Sequence, residues 1–149
     1  MTRISWDEFF MGVAQLAAKR SRDTSTQVGA CIVDNHKILS TGYNGMPRTC
    51  DEAGLPWDRD KEWLETKYPY VVHAELNAIL NAPRTNLKDC VLYVTLFPCC
   101  ECAKAILQSG ITEVHYLEDK HPNDDTYIAA KRLLSLSKIK IIKHEIKEN

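Results

Sequence analysis

Apolar residues recur along this chain in two rhythms. Near the N-terminus Trp6, Phe9, Phe10, Val13, Leu16 and Ala17 fall at helical spacing, so residues 6–20 predict an amphipathic helix. Ser5, with Glu8 three positions on, forms a capping box at its start. The rhythm then shortens. VGACIV (28–33) and ILSTGY (38–43), joined by Asp34-Asn35-His36-Lys37, predict a β-hairpin. GYNGMP (42–47) is rich in turn formers. Periodicity lapses from 49 to 68, where Trp57, Trp63 and Tyr68 stand among many charges. A loop of that length in a compact domain is usually functional or disordered. Pro69 disfavours helix at Tyr68, so a helix is expected to start near His73 and run to about Ala82. CVLYVTLF (90–97) reads as a buried strand, and 99–109 as a helix opened by Pro98 and closed by Gly110. TEVHYL (112–117) is a strand. A helix over 124–136 has Asp124 and Asp125 at its favourable end, and KIKII (138–142) is a last strand.

The order α-β-β-α-β-α-β-α-β places this chain in the α/β class. The first two strands should be antiparallel. The later alternation implies right-handed crossovers, largely parallel strands and helices on both faces. No repeat, low-complexity tract or linker interrupts the chain, so one domain over residues 1–149 is expected, with a long functional loop at about 43–68. With 149 residues and 44% apolar content, it can bury a real core.

Charge and cysteine usage narrow the function. A net charge of −1 lacks the basic surplus of a nucleic-acid or anionic-membrane binder. No apolar run approaches the roughly 18 residues of a membrane span. Asp7 and Glu8 interrupt any signal-peptide core, so a cytoplasmic location is expected. Cytosolic thiols stay reduced, which disfavours disulfides among the six cysteines. Cys99, Cys100 and Cys102 crowd into four positions, a spacing suited to a metal or redox site.

Cys99 and Cys102 share one face of a helix start, where free N–H groups and the dipole favour thiolates. His73 sits at another expected helix start. Two cysteines and one histidine leave a metal's fourth position open, as catalytic zinc sites do. Glu75 then reads as an unligated carboxylate that moves protons between the activated water and a substrate. Cys100 should point away from the metal as a small core side chain. A lone C-x-x-C also suits a redox pair or half a structural zinc knuckle, but no second C-x-x-C or HxxxH pair completes a four-ligand site. The whole pattern, His73-Ala74-Glu75…Pro98-Cys99-Cys100-Glu101-Cys102, matches the H-x-E…P-C-x-x-C signature of zinc deaminases. In that chemistry water replaces the exocyclic amino group of a pyrimidine or purine, and ammonia leaves.

HAE, FPCCEC, the VGACIV hairpin, GYNGMP, TKYPYVVHAELNAI and the opening W-x-x-x-F-M-x-V-A-x-L-x-A-x-R-S together resemble the deoxycytidylate (dCMP) deaminases of the cytidine deaminase-like superfamily, over roughly residues 5–135. The resemblance implies a three-layer α/β/α sandwich around a five-stranded mixed sheet. It also implies hydrolysis of dCMP to dUMP and ammonia, feeding thymidylate synthesis. Zn²⁺ would be held by His73, Cys99 and Cys102, with Glu75 as proton shuttle. It implies a homo-oligomer, typically a hexamer, activated by dCTP with Mg²⁺ and inhibited by dTTP. Asn44 matches a nucleotide-contacting asparagine in related deaminases, or else it serves as a turn residue. The Ala74 N–H is a candidate donor to the pyrimidine O2. Arg20, Ser21 and Arg22, beside Lys19, are candidates for the phosphate, as is Lys120; each alone also suits a solvated surface. Phe97 lines the base pocket or the core. Effector phosphate is expected near Gly42, Tyr43, Asn44 and Gly45. Some relatives bind a further zinc in the long insert; here that insert has Cys50 but no histidine, so one zinc per chain is expected. Two rivals remain: another deaminase of the superfamily, acting on dCTP, a free base, a nucleoside or nucleic acid, and a non-catalytic zinc-stabilised interaction module that gives Glu75 no task.

Overall fold

Ser5 starts the first helix by the expected cap: its Oγ accepts the Glu8 N–H at 3.1 Å. The computed structural model describes residues 2–146. Helix α1 spans Trp6–Ala18. It stops short of residue 20 because the N–H groups of Lys19, Arg20 and Ser21 turn to the carbonyls of Leu16, Ala17 and Ala18. Strands β1 (Gly29–Asp34) and β2 (Lys37–Tyr43) form the hairpin. Its turn is tighter than the four residues expected, since Asp34 pairs with Lys37 and only Asn35 and His36 lie between. Both adopt left-handed φ values of 47° and 64°, which two-residue hairpin turns favour.

The remaining elements are α2 (Ala74–Asn81), β3 (Val91–Leu96), α3 (Cys100–Ser109), β4 (Glu113–Glu118), α4 (Asp125–Ser137) and β5 (Lys140–Lys143). Gly110, at φ 95°, closes α3. Lys138, left-handed at φ 62°, closes α4 and delays the last strand by two residues relative to the expected start.

The five strands are ordered β2-β1-β3-β4-β5. β3, β4 and β5 run parallel, whereas β1 is antiparallel to both β2 and β3. The sheet is therefore mixed, as expected: β2, β3, β4 and β5 share one direction, and β1 opposes them. The reason is that the β2–α2–β3 crossover passes over β1, so β3 inserts beside β1 and parallel to β2.

Alternation along β1 divides the core between two faces. Cys31 and Val33 face α1, where Phe10, Met11 and Ala14 pack with Tyr93 and Leu117. Ala30 and Ile32 face the opposite layer with Leu92, Val94 and Val114, covered by Ala74 and Ala78 of α2 and Ile106 of α3. Ala130 and Leu134 of α4 close that layer against Ala103 and Phe97. Helix α2 lies unusually near β2. A Cβ on Gly42 would stand 2.4 Å from both the Ala74 carbonyl oxygen and the Ala78 nitrogen, so only glycine fits there. That approach sets the position of the start of α2.

Candidate metal and active site

Helices α2 and α3 both begin with chemically reactive residues. His73 is the N-cap of α2 and Cys99 the N-cap of α3, each in extended backbone and neither using its side chain to cap. The first-turn N–H groups of such helices have no intrahelical acceptor and give the site a positive local potential. His73 Nδ1 lies 3.5 Å from Cys99 Sγ and 3.4 Å from Cys102 Sγ. A tetrahedral zinc, with bonds of about 2.3 Å to sulfur and 2.0–2.1 Å to nitrogen, separates such ligand atoms by about 3.5 Å. The donor set and its spacing therefore fit zinc with one position left open. Cys100 is half-buried against the Phe97–Ala103–Leu134 cluster and stands outside the ligand group.

The electrostatics match that assignment. The hydrogen bond between the two thiols and then the His73 contact pull Cys99 down to about 4. The same bond to Cys99, burial and the nearby Glu75 hold the Cys102 proton. The metal-free pair thus shares one negative charge. The hydrogen bond to Cys99 raises His73 most, against the effect of burial. Glu75 is 4% exposed, and burial pushes its carboxyl above the usual range while the His73 charge opposes the shift. A carboxyl so placed is suited to take up and release a proton.

These residues open onto a cavity of about 500 Å³, large enough for a nucleotide. Of the residues expected from the sequence, it brings together His73, Ala74, Glu75, Cys99, Asn44 and Phe97 on one wall system. Cys102 lies just behind, in contact with His73. Phe97 serves both expected roles, packing edge-on against Tyr116 at 4.9 Å while lining the cavity. Asn44 is 6% exposed, and its backbone is not left-handed. Its Oδ1 accepts the Val28 N–H at 2.8 Å, and its Nδ2 donates to the Thr26 carbonyl at 2.9 Å.

Other expected residues stand elsewhere. Arg20 lies over the Tyr43 ring at 5.6 Å, and Arg22 faces Asp51 and Glu52 at 3.8 and 3.9 Å. Ser21 is buried, donating to the Asn44 carbonyl at 2.8 Å and accepting from the Asp23 N–H at 3.2 Å. Lys120 pairs with Glu118 at 3.3 Å outside the cavity. The turn after β2 does not present a row of free N–H groups. Gly42 belongs to the β1–β2 ladder, Asn44 N–H donates to Val28 and Gly45 N–H to Val72, while Tyr43 pairs with Gly29.

The sequence reading missed several cavity residues. Arg59 lines it from the long insert, and no ion pair or hydrogen bond engages its guanidinium among the described residues. Lys67 also lines it, but its ammonium is paired with the buried Asp23. Tyr127 lines it from α4; burial pushes its phenol to about 12, so it stays a neutral hydroxyl. Aromatic residues and charges in an aperiodic insert were the only signal for Arg59. Tyr127 had none beyond its place on a helix.

A mixed sheet with two helix N-termini aiming a histidine and two cysteines at one point, beside a buried carboxyl, defines a zinc-hydrolase type of site. Residues 4–118 match the family model described as the cytidine and deoxycytidylate deaminase zinc-binding region, and the chain belongs to this family. Deoxycytidylate deaminase of Homo sapiens is 53% identical over 136 residues, spanning 90% of this chain and 76% of that protein. A probable deoxycytidylate deaminase of Drosophila melanogaster is 49% identical over 148 residues, spanning 95% of this chain and 73% of that protein. The crystal structure of dCMP deaminase from the cyanophage S-TIM5 in complex with dCMP and dUMP superposes with a TM-score of 0.75 at 26% identity, covering 97% of this chain and all of that one.

Cys102→Ser tests the ligand set. A hydroxyl is a far poorer zinc ligand than a thiolate. Elemental analysis should find the zinc at this site lost or sharply reduced while the fold, read by circular dichroism, persists. Undiminished zinc together with undiminished activity would show that Cys102 is not a ligand.

Proposed function

We propose that this chain hydrolyses dCMP to dUMP and ammonia, using Zn²⁺ held by His73, Cys99 and Cys102 and Glu75 as the proton shuttle. The observation that carries this reading is the placement of Glu75. It is a buried carboxyl, in the first turn of α2, at the wall of a nucleotide-sized cavity and beside the three candidate ligands. A non-catalytic zinc module would have no use for a carboxyl desolvated in that position.

Bound zinc supplies Lewis acidity, which brings the pKa of water close to neutrality. The chain's own groups do the rest. Glu75 accepts the proton of the attacking water and passes it to the ring nitrogen, which makes the amino-bearing carbon a better electrophile. It then takes the proton remaining on the added hydroxyl and delivers it to the amino group; the C–N bond breaks, ammonia leaves and the hydroxyl oxygen becomes the carbonyl. The Ala74 N–H, in the first turn of α2, is the candidate donor to the pyrimidine O2. Phe97 and Tyr127 offer apolar walls to the base, and both are neutral. The second lone pair of Asn44 Oδ1 is available to a sugar hydroxyl. For the phosphate the reading favours Arg59. Lys67 is already neutralised by Asp23, whereas Arg59 carries an unpaired guanidinium at the cavity.

Assembly and regulation follow from the family resemblance: a homohexamer, activation by dCTP with Mg²⁺ and inhibition by dTTP. One feature of the molecule supports subunit contact. Trp63 and Leu64 of the insert are each 62% exposed and Leu16 of α1 is 67% exposed, apolar surface of the kind that interfaces cover. The engaged N–H groups of Asn44 and Gly45 make the side chains of the insert better candidates than that turn for contact with an effector.

Glu75→Gln keeps the shape of the side chain but cannot shuttle protons. Zinc content should be unchanged and kcat for dCMP should fall by about 10²–10⁴-fold; a near-normal rate would remove Glu75 from the mechanism. For regulation, rate against dCMP should be sigmoidal alone, become hyperbolic with dCTP and Mg²⁺, and be opposed by dTTP. Hyperbolic curves indifferent to both nucleotides would dismiss the regulatory reading and leave the catalytic one intact.

A further inference from the structure

A second group of metal-ligating side chains lies on the other face of the sheet, away from α2 and α3. His115 of β4 projects towards α1, among Tyr93 and Leu117, and is only 2% exposed. Both of its ring nitrogens are engaged. Nε2 lies 2.6 Å from Glu113 Oε2, and Nδ1 lies 2.5 Å from His144 Nε2. Asp7, in the first turn of α1, brings its Oδ1 within 4.0 Å of the same Nδ1. One ligand atom each from Asp7, His115 and His144 thus falls within 4.8 Å of the others. The three residues come from the start of α1, the middle of β4 and the segment after β5. Only the fold brings them together.

We propose that Asp7, His115 and His144 form a second cation site, for a first-row divalent ion such as zinc, distinct from the catalytic centre. Four features carry the assignment. The Glu113 carboxylate accepts the Nε2–H of His115, which fixes the tautomer and turns the Nδ1 lone pair towards His144 and Asp7. This is the carboxylate–histidine support that metal-bound imidazoles ordinarily have. The His144 backbone N–H is tied to the Tyr116 carbonyl at 2.8 Å, and the Tyr93 hydroxyl donates to Asp7 Oδ1 at 2.6 Å, so two ligands are held in place by partners of their own. Two imidazoles with one carboxylate suit zinc, nickel or copper and are poor for magnesium or calcium. Asp7 and His144 are only half-buried, which leaves the ion a way in.

In the metal-free protein the two facing nitrogens lie at hydrogen-bond distance, with room for one proton between them. The neutral imidazole is the form that binds a cation. An ion in place of the proton would cross-link the start of α1, β4 and the chain beyond β5. The expected consequence is added stability rather than altered chemistry, because the catalytic residues lie on the opposite side of the sheet.

The test begins with holoenzyme carrying one zinc at the catalytic site. Co²⁺ is added, free ion is removed, and bound metals are counted by elemental analysis. Wild type should retain about one cobalt per chain with its zinc undisturbed. The spectrum should show d–d bands and no thiolate-to-cobalt charge transfer, because no sulfur belongs to this site. The bound ion should raise Tm. His144→Ala, altered at a half-buried side chain, should bind no extra cobalt, show no Tm increase and deaminate as wild type does. Asp7→Asn should weaken cobalt binding at least tenfold while keeping side-chain shape, which covers the case of a poorly folding His144 variant. The proposal is overturned if wild type retains no second ion, if both variants retain as much as wild type, or if the cobalt spectrum carries thiolate charge transfer.

Discussion

The site depends on gathering a buried carboxyl, a buried and a half-buried thiol and a more open imidazole where two helices begin. Each of these groups is costly to desolvate alone. Together they offset one another: the thiols share a charge, His73 bridges to both sulfurs, and the helix starts supply positive potential. A bound cation would complete this balance by taking up the remaining negative charge. Glu75 stays outside the ligand group, near enough for its charge to be felt and free to exchange a proton.

The cluster has to be held rigidly, and the edge of the sheet does much of this. Gly42 lets α2 settle against β2 at a separation that no side chain would permit. Ser40 Oγ donates to the Ala78 carbonyl at 2.7 Å, and Asn77 Nδ2 donates to the Tyr43 carbonyl at 2.8 Å. Asn44 ties the end of β2 to the loop between α1 and β1, through Asp23, Thr26 and Val28, using nearly all of its side-chain hydrogen-bonding capacity. The GYNG stretch therefore matters chiefly as a fixture for α2. The N–H groups of Asn44 and Gly45 are spent on the Val28 and Val72 carbonyls.

The reactive centre was legible in the sequence because its residue types are rare together. His73, Glu75, Cys99 and Cys102 each had a reason to sit at a helix start, and Pro98 and Gly110 bracketed α3. The mixed sheet was legible as well, but the neighbour of β1 was not: pattern marks strands, whereas pairing follows from how the β2–α2–β3 crossover spans the sheet. The phosphate cations were the weakest reading. Arg20 and Arg22 cluster in the chain but are turned from the cavity in space, while Arg59, in an insert without periodicity, lines it. Charge in a sequence shows how many cations there are and not where the loop carries them. The Asp7–His115–His144 group was invisible for the same reason, since its members lie on three separate elements.

The proposed function gives the base to the walls of Phe97 and Tyr127 and the phosphate of a nucleoside monophosphate to the Arg59 guanidinium. The most direct test is kcat/KM for ammonia release from dCMP and from deoxycytidine, measured on wild type and on Arg59→Ala. Wild type should prefer dCMP by about 10- to 100-fold, the value of a hydrogen-bonded charge at about 1.5–3 kcal/mol. Arg59→Ala should lose most of that preference while turning over deoxycytidine as before. Equal kcat/KM for the two substrates in wild type would contradict the account.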